Sequence, residues 1–283
     1  MSHAIIIPIY CENRNTINLC NELQNFGAEH IVVVNDGLNP KSEYFNELTS
    51  IGCHLVHLKN NNGKGASLKA GIKYAHDNLY NITGYITCDA DGQHTANDVM
   101  KISRMLDLRN GSLILGKRDY KKSKMPINIR IGNRLSSAYF KVITGKSCRD
   151  TQTGLRGIPA FLYDTVMKTK GSRFDFEMNF LTKCADMRVP FYFVNIIADC
   201  SNCSSNFRLI KDTYLIYRTP LRFATASIGC TIIDLVLFTI FAYILPSHMF
   251  FNIMLATLMA RVVSGGINFL INRKVIFGNT DNG

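Results

Sequence analysis

Apolar residues in the first 118 positions come in short continuous runs: AIIIPIY (4–10), HIVVVND (30–36), CHLVHLK (53–59), GYITCDAD (84–91) and SLILGKR (112–118). Stretches of helical composition lie between them, near 13–26, 41–50, 65–79 and 95–108. Continuous β-branched runs separated by helices predict an α/β fold whose parallel sheet is covered on both faces. Ligands bind such sheets outside the carboxyl ends of the strands. Glu12, Asp36 and the pair Asp89 and Asp91 all fall at those ends. Further on the pattern is mixed: helices are expected near 128–145, 159–168 and 176–187, and a strand near 190–198.

After residue 206 the pattern changes. In FRLIKDTYLIYRTPL the apolar residues Phe207, Ile210, Tyr214, Tyr217 and Leu221 recur at helical spacing, opposite Arg208, Lys211 and Arg218. This predicts an amphipathic helix over 207–222 lying on a membrane surface. Residues 223–245 and 250–271 are apolar apart from one charge each, Asp234 and Arg261. At ~1.5 Å per residue, each stretch can cross ~30 Å of hydrocarbon. The loop PSHM between them lacks Lys and Arg, whereas Arg218 and Arg222 precede the first span and Arg273 and Lys274 follow the second. By the positive-inside rule both ends, and the domain before them, are cytoplasmic. Asp234 and Arg261 reach similar depth in an antiparallel hairpin, so they can pair; a lipid phosphate, a partner subunit or a partner protein also suits them. The expected organisation is a domain over 1–206, a juxtamembrane helix over 207–222 and a two-helix hairpin over 223–277.

Charge refines this picture. Residues 117–156 carry 11 Lys/Arg against 2 Asp/Glu, and they supply most of the net charge of +11. So concentrated a segment suits an anionic partner. Nucleic acid would explain the basic segment but not two membrane spans. The nine cysteines are scattered and no secretory signal is visible, which fits reduced thiols; Cys200 and Cys203 form a lone CxxC with no second pair at zinc spacing.

Two carboxylates one residue apart, Asp89 and Asp91, at the end of a buried strand repel each other and are costly to desolvate. A divalent cation between them resolves both problems, and such a cation suits a diphosphate leaving group. NNNGKGAS, with Lys64, is not a Walker A loop, but its glycines can bring backbone close to a ligand.

IPIYCEN, VVNDG, NGKGAS, DADGQH, GKR and DTQTGLR, in this order, resemble the family 2 glycosyltransferases with a GT-A fold. The likeness spans about residues 4–218 and is nearest to the polyprenyl-phosphate branch, which includes dolichol-phosphate mannosyltransferase and bactoprenol glucosyltransferases. DADGQH in its strand context is its most specific part. Residues 223–277 resemble the first half of a GtrA-like membrane domain; that family usually has four spans and two fit here, as a truncated chain or as a two-helix anchor.

The resemblance implies inverting, Mg²⁺- or Mn²⁺-dependent transfer of a hexose from a UDP- or GDP-sugar to a polyprenyl phosphate, at the cytoplasmic face of a membrane and most simply a bacterial one. It implies that Pro8, Tyr10 and Glu12 line the nucleotide pocket and that Asp36 holds base or ribose, with Lys64 and Ala90 also at the donor. Asp89 would contact the sugar-nucleotide, and Asp91 would bind the metal with Asp89 and Gln93 beside it. Arg118 would meet phosphate, and Asp150 and Gln152 would lie near the donor sugar. Two positions depart from the pattern: Cys11 stands where Asn is usual, and Asn206 where related chains carry a basic residue or His.

The acceptor phosphate, with a second pKa of ~6, is already an anionic nucleophile, so it needs charge compensation more than a base. Arg118, Arg130 and Arg134 suit that task, the last two being i, i+4 on an expected helix. A processive polysaccharide synthase is excluded, because those relatives carry a QxxRW motif and this chain has no tryptophan. A membrane adaptor or lipid-linked-sugar translocation partner with an inactive domain is the remaining alternative, and paired hairpins suit a homo-oligomer.

Overall fold

The computed structural model describes residues 2–118, 127–173, 175–197, 209–245 and 250–271. The CxxC pair, Asn206, the PSHM loop, and Arg273 and Lys274 lie outside these residues, as do the juxtamembrane side chains. Contacts divide the chain into two units, Met1–Arg208 and Leu209–Gly283.

The first unit is built on one seven-stranded sheet. Its strands are β1 (His3–Ile9), β2 (His30–Asp36), β3 (His54–Leu58), β4 (Gly84–Thr87), β5 (Leu113–Arg118), β6 (Arg156–Pro159) and β7 (Phe191–Ile196), in the order β3-β2-β1-β4-β6-β5-β7. All neighbours are parallel except β6, which runs antiparallel to both β4 and β5. The expected strands and helices are present, but β4 ends at Thr87, so Asp89 and Asp91 stand on the loop beyond it. The strand β6 was not expected. It is four residues long and reads RGIP, so it lacks any alternation that could mark it as a strand. It forms because Ile158 and Gly157 complete the sheet between β4 and β5.

Alternate residues of each strand point to opposite faces. Ile5, Ile7, Ile9, Ile31 and Val33 enter one core with α1 (Arg14–Asn25), α2 (Glu43–Ser50) and α4 (Ala96–Leu108). Ala4, Ile6, Val32, Val34 and Tyr85 enter the other, with α3 (Lys64–Asn78), α5 (Ile127–Thr144), α6 (Tyr163–Lys168) and α7 (Asp175–Asp186). Apolar residues on both faces explain why the strands read as unbroken runs.

Pro8 sits in β1, a central strand, where a missing N–H ordinarily breaks a ladder. Here it does not. The Ile6 carbonyl accepts from Cys88 N–H, so Pro8, two residues on, faces the same side. The β1–β4 pairing has already ended at Ile6–Thr87. β4 peels away at this point, and the gap receives the Asp89–Asp91 loop.

The second unit holds α8 (Leu209–Ile244) and α9 (Phe250–Ile271). The juxtamembrane segment is not a separate helix: α8 runs unbroken through Pro220, for 36 residues. Ser227–Ile244 and Phe251–Leu270 are long and apolar enough to cross a membrane. Ala256, Ala260 and Ser264, four residues apart, are the buried residues of α9 among the described side chains.

Candidate active site

The carboxyl ends of β1, β2, β4 and β5 and the chain entering β6 converge on Asp89. Lys64 Nζ lies 2.6 Å from Asp89 Oδ1 and 3.2 Å from Glu177 Oε1. His94, only 4% exposed, places Nε2 3.6 Å from the other Asp89 oxygen. Burial opposes ionisation of Asp89, but Lys64 and His94 outweigh it and hold the carboxyl well below the usual carboxylate range. Burial likewise works against the charge on Lys64, and Asp89 and Glu177 overcome it.

Lys64 is placed by the turn before it. Gly63 has φ +93°, a backbone that favours glycine, and a Cβ there would lie 2.6 Å from Arg173. Asp36 holds this turn from below: its two carboxylate oxygens accept from the backbone N–H groups of Asn62 (2.8 Å) and Gly63 (2.9 Å). The residue expected at a base or ribose is therefore engaged in shaping the Lys64 loop.

Asp91 differs from Asp89. It accepts from the backbone and side-chain amides of Gln93. No ion pair joins it among the described residues. Burial and the neighbouring Asp89 push its carboxyl above the ordinary range. The N-terminal end of α1 holds this loop: Thr16 Oγ1 donates to the Ala90 carbonyl at 3.1 Å, and Asn15 reaches the Asp91 carbonyl at 3.5 Å. Tyr10 stands at the rim, and burial, helped by Cys11 and Asp91, pushes its hydroxyl up to about 12, so it is a neutral donor. Pro8 is buried, and Cys11 and Glu12 are exposed beside Tyr10.

Arg118 and Asp150, expected at phosphate and at sugar, face each other. Arg118 donates to Asp150 through Nε (2.7 Å) and an Nη (2.8 Å), and Asp150 is fully buried. This fork of Arg118 is committed inside the protein. Gln152 donates its backbone N–H to Asp150 at 3.3 Å. Along α5, Asn133 and Ser136 hold the same loop: Asn133 donates to the Arg149 carbonyl and accepts from the Thr151 N–H, both at 3.2 Å, and the Ser136 and Thr151 hydroxyls bond at 2.7 Å. Arg130 on α5 is half-buried and Arg134 is exposed. Near Arg134, Ile131 (52%), Leu135 (60%) and Val142 (83%) form an exposed apolar stripe.

Three important residues were missed in the sequence: Glu177, His94 and Arg156. Arg156 donates to the carbonyls of Thr153, Glu177 and Thr151 at 2.9–3.1 Å, which ties the DTQTGLR loop to α7. His94 and Arg156 stand inside quoted motifs, so their positions were a signal. Glu177 is 88 residues from Asp89 and 113 from Lys64, and it reads as an ordinary acidic residue in the first turn of a helix.

Gly154 lies directly against Asp89: a Cβ there would be 2.0 Å from Oδ2. Its carbonyl also accepts from Thr87 Oγ1 at 2.7 Å, so the segment cannot back away freely. Gly154→Ala is expected to displace the carboxylate from Lys64. It should lower stability by about 1–3 kcal/mol, as overpacking does, and lower activity at least about tenfold. Thermal melts and initial rates check this.

Site charges largely balance. Lys64, Arg118 and Arg156 meet Asp89, Asp150 and Glu177. Asp91 is left over, a desolvated carboxylate next to another one. That donor chemistry fits a hard divalent cation. No group of three or more His, Cys, Asp or Glu able to hold a metal exists among the described residues. Further oxygens would therefore come from water and from a bound ligand, as is usual for Mg²⁺-type sites that include substrate phosphates.

The chain is similar to known proteins. Residues 4–164 match the model of Glycosyl transferase family 2. An uncharacterised protein of Methanocaldococcus jannaschii is 32% identical over 188 residues, which are 62% of this chain and 73% of that one. A UDP-N-acetylglucosamine–dolichyl-phosphate N-acetylglucosaminyltransferase of Methanococcus voltae is 29% identical over 172 residues, 54% of this chain and 67% of its own. Among solved structures, glucosyl-3-phosphoglycerate synthase of Mycobacterium tuberculosis in complex with Mn²⁺, UDP-glucose and phosphoglyceric acid superposes with a TM-score of 0.58 at 11% identity. It covers 77% of this chain and 79% of its own, and it shows the shared GT-A fold. With its mostly parallel sheet, its carboxylate loop and its family match, the chain belongs to glycosyl transferase family 2 and is a glycosyltransferase.

Proposed function

We propose that this enzyme transfers one sugar from a nucleoside-diphosphate donor to a polyprenyl monophosphate, with inversion, at the cytoplasmic face of a membrane. The observation that carries the reading is Asp91, a half-buried carboxylate with no ion-pair partner among the described residues, beside a balanced group of ion pairs. Asp91, with Gln93 orienting it, would hold Mg²⁺ or Mn²⁺ against the donor diphosphate. When bound, the metal neutralises charge developing on the leaving nucleoside diphosphate. The likeness to the dolichyl-phosphate enzyme supports the acceptor class.

Each of the chain's own residues has a task in this reading. Tyr10, Glu12 and Pro8 border the nucleotide. Lys64 fixes Asp89 in one orientation toward the donor, so no reorganisation is needed during reaction. The Arg118–Asp150 pair holds the floor on which Gln152 meets the sugar. The exposed stripe of α5 lies against lipid, and Arg134 beside it compensates the acceptor phosphate. The two apolar helices, each long enough to cross a membrane, anchor the chain.

The test uses purified full chain in detergent with a short-chain polyprenyl phosphate, Mn²⁺ or Mg²⁺, and a panel of UDP- and GDP-sugars. A metal-dependent glycolipid product supports the reading and names the donor. Donor hydrolysis or transfer only to soluble acceptors overturns the lipid acceptor, and lipid-phosphate binding without transfer points to an adaptor. Arg134→Glu is expected to raise KM for the lipid about tenfold or more, as loss of a charge-assisted contact does, with KM for the donor unchanged. Equal changes in both constants would contradict a role at the acceptor.

A further inference from the structure

The spans carry opposite charges that do not meet within the chain. Asp234 accepts from Ser264 Oγ at 2.7 Å across the hairpin. No ion pair links it to Arg261 among the described residues, so the pairing expected from depth alone is replaced by Ser264. Arg261 stands eleven residues from Phe250 and ten from Ile271, the middle of α9. Either end is therefore ~15 Å away, about half the hydrocarbon thickness, which is farther than an arginine side chain reaches. Arg261 is exposed. Helical geometry rotates it by ~100° from Ala260 on the buried seam. Ile253, Met254, Thr257, Leu258 and Arg261 line one shallow depression on that exposed face.

A guanidinium facing hydrocarbon at mid-span is costly, and such residues face protein or water in membrane proteins. Its partner must be an anion at the same depth. Asp234 is one: it is half-buried, and Ser264 takes one of its roughly four lone-pair sites. It also lies within one helical turn of the level of Arg261, because its partner Ser264 is three residues from Arg261. The chain thus presents a cation and an anion at one level on different faces.

We propose that the hairpin pairs with a second copy of this chain, Arg261 of each copy meeting Asp234 of the other. Two-fold symmetry makes both contacts at once and leaves no mid-membrane charge uncompensated. The face around Thr257 and Leu258 is then covered by the partner's α8. This rests on the reading of α8 and α9 as membrane-spanning.

The test is a charge exchange in the full chain, co-expressed with two different tags and reconstituted in lipid bilayers. Wild-type copies are expected to associate. Arg261→Asp and Asp234→Arg should each weaken self-association about tenfold or more, because each places like charges together. Mixed, the two variants should associate again, since every contact is then an opposite pair. Arg261→Gln, which adds no new charge, should also weaken association. If the mixed variants stay apart, or if Arg261→Gln associates like wild type, the pairing is overturned in favour of a lipid or an intrachain contact. Alkaline extraction separates the two readings. Release of wild-type chain overturns the spans and the pairing with them, whereas retention without association overturns the pairing alone.

Discussion

Asp91→Asn should abolish transfer yet leave the metal-free protein at least as stable as wild type. Both effects have one cause. The Asp91 carboxyl is held above its ordinary range by burial and by Asp89. Folding therefore disfavours its ionised form, a penalty fully present above the raised folded-state pKa. The penalty fades as pH falls through that value toward the ordinary carboxylate range. An amide of the same shape removes the penalty at neutral pH while keeping the Gln93 contact. It also removes the one carboxylate left to hold a cation, so a rate loss of about a hundredfold or more is expected, the scale of losing one electrostatic group. Thermal melts with and without Mn²⁺ plus UDP distinguish the parts. Wild type should be stabilised by the pair of ligands, by ~2.7 kcal/mol at a hundredfold excess over Kd, and Asp91→Asn should not. A variant that melts early would show that Asp91 is structural.

Lys64→Met is expected to be the most destabilising single change at the site. Lys64 compensates Asp89 and Glu177 together, and all three are largely shielded from solvent. Removing one partner of a buried pair costs about 3–5 kcal/mol, because the remaining charge is left uncompensated. In wild type, the depressed Asp89 pKa contributes stability that is present above the unfolded carboxylate value and lost as pH falls through the folded one. The raised Lys64 pKa contributes stability that is present below its unfolded value and lost as pH rises through the folded one. The pair is thus intact across neutral pH. In Lys64→Met, Asp89 can escape its penalty by taking a proton, so the gap from wild type should narrow as pH falls from 7 toward about 4. Urea unfolding at pH 7 and pH 4 checks this. The double variant Lys64→Met, Glu177→Gln should recover part of the stability and none of the activity, a non-additivity expected of groups that share one contact. If the two losses simply add, the shared network is not what Lys64 supplies.

Much was legible before any coordinates. Runs such as HIVVVND marked strands because a sheet covered on both faces needs apolar side chains at every position. The loop DADGQH was legible because two carboxylates one residue apart after a buried strand need a cation. The helices between the first five strands held their boundaries to within a residue or two, helped by caps such as Asn13, Ser42 and Thr95, whereas the helix expected over 159–168 begins at Tyr163 after a 3-10 turn. What periodicity did not mark was β6, whose four residues form a strand only because β4 and β5 leave a slot of that length.

Roles were harder to read than positions, since a role depends on the partner that folding delivers. Arg118 alone reads as a phosphate ligand; against Asp150, 32 residues later, it is half of a buried pair. Asp36 alone reads as a nucleotide contact, and the fold sets it under the Asn62 and Gly63 amides. Asp234 and Arg261 read as able to pair with each other or with an outside group, and in the hairpin Asp234 accepts from Ser264 instead. The layered α/β architecture, the carboxylate loop and the two apolar helices rest on local pattern and composition, and so they were readable from the chain alone. Only the tertiary structure decided which charges neutralise which, because Coulomb energy depends on distances between residues far apart in the chain, and Asp91 emerged as the charge left for a metal.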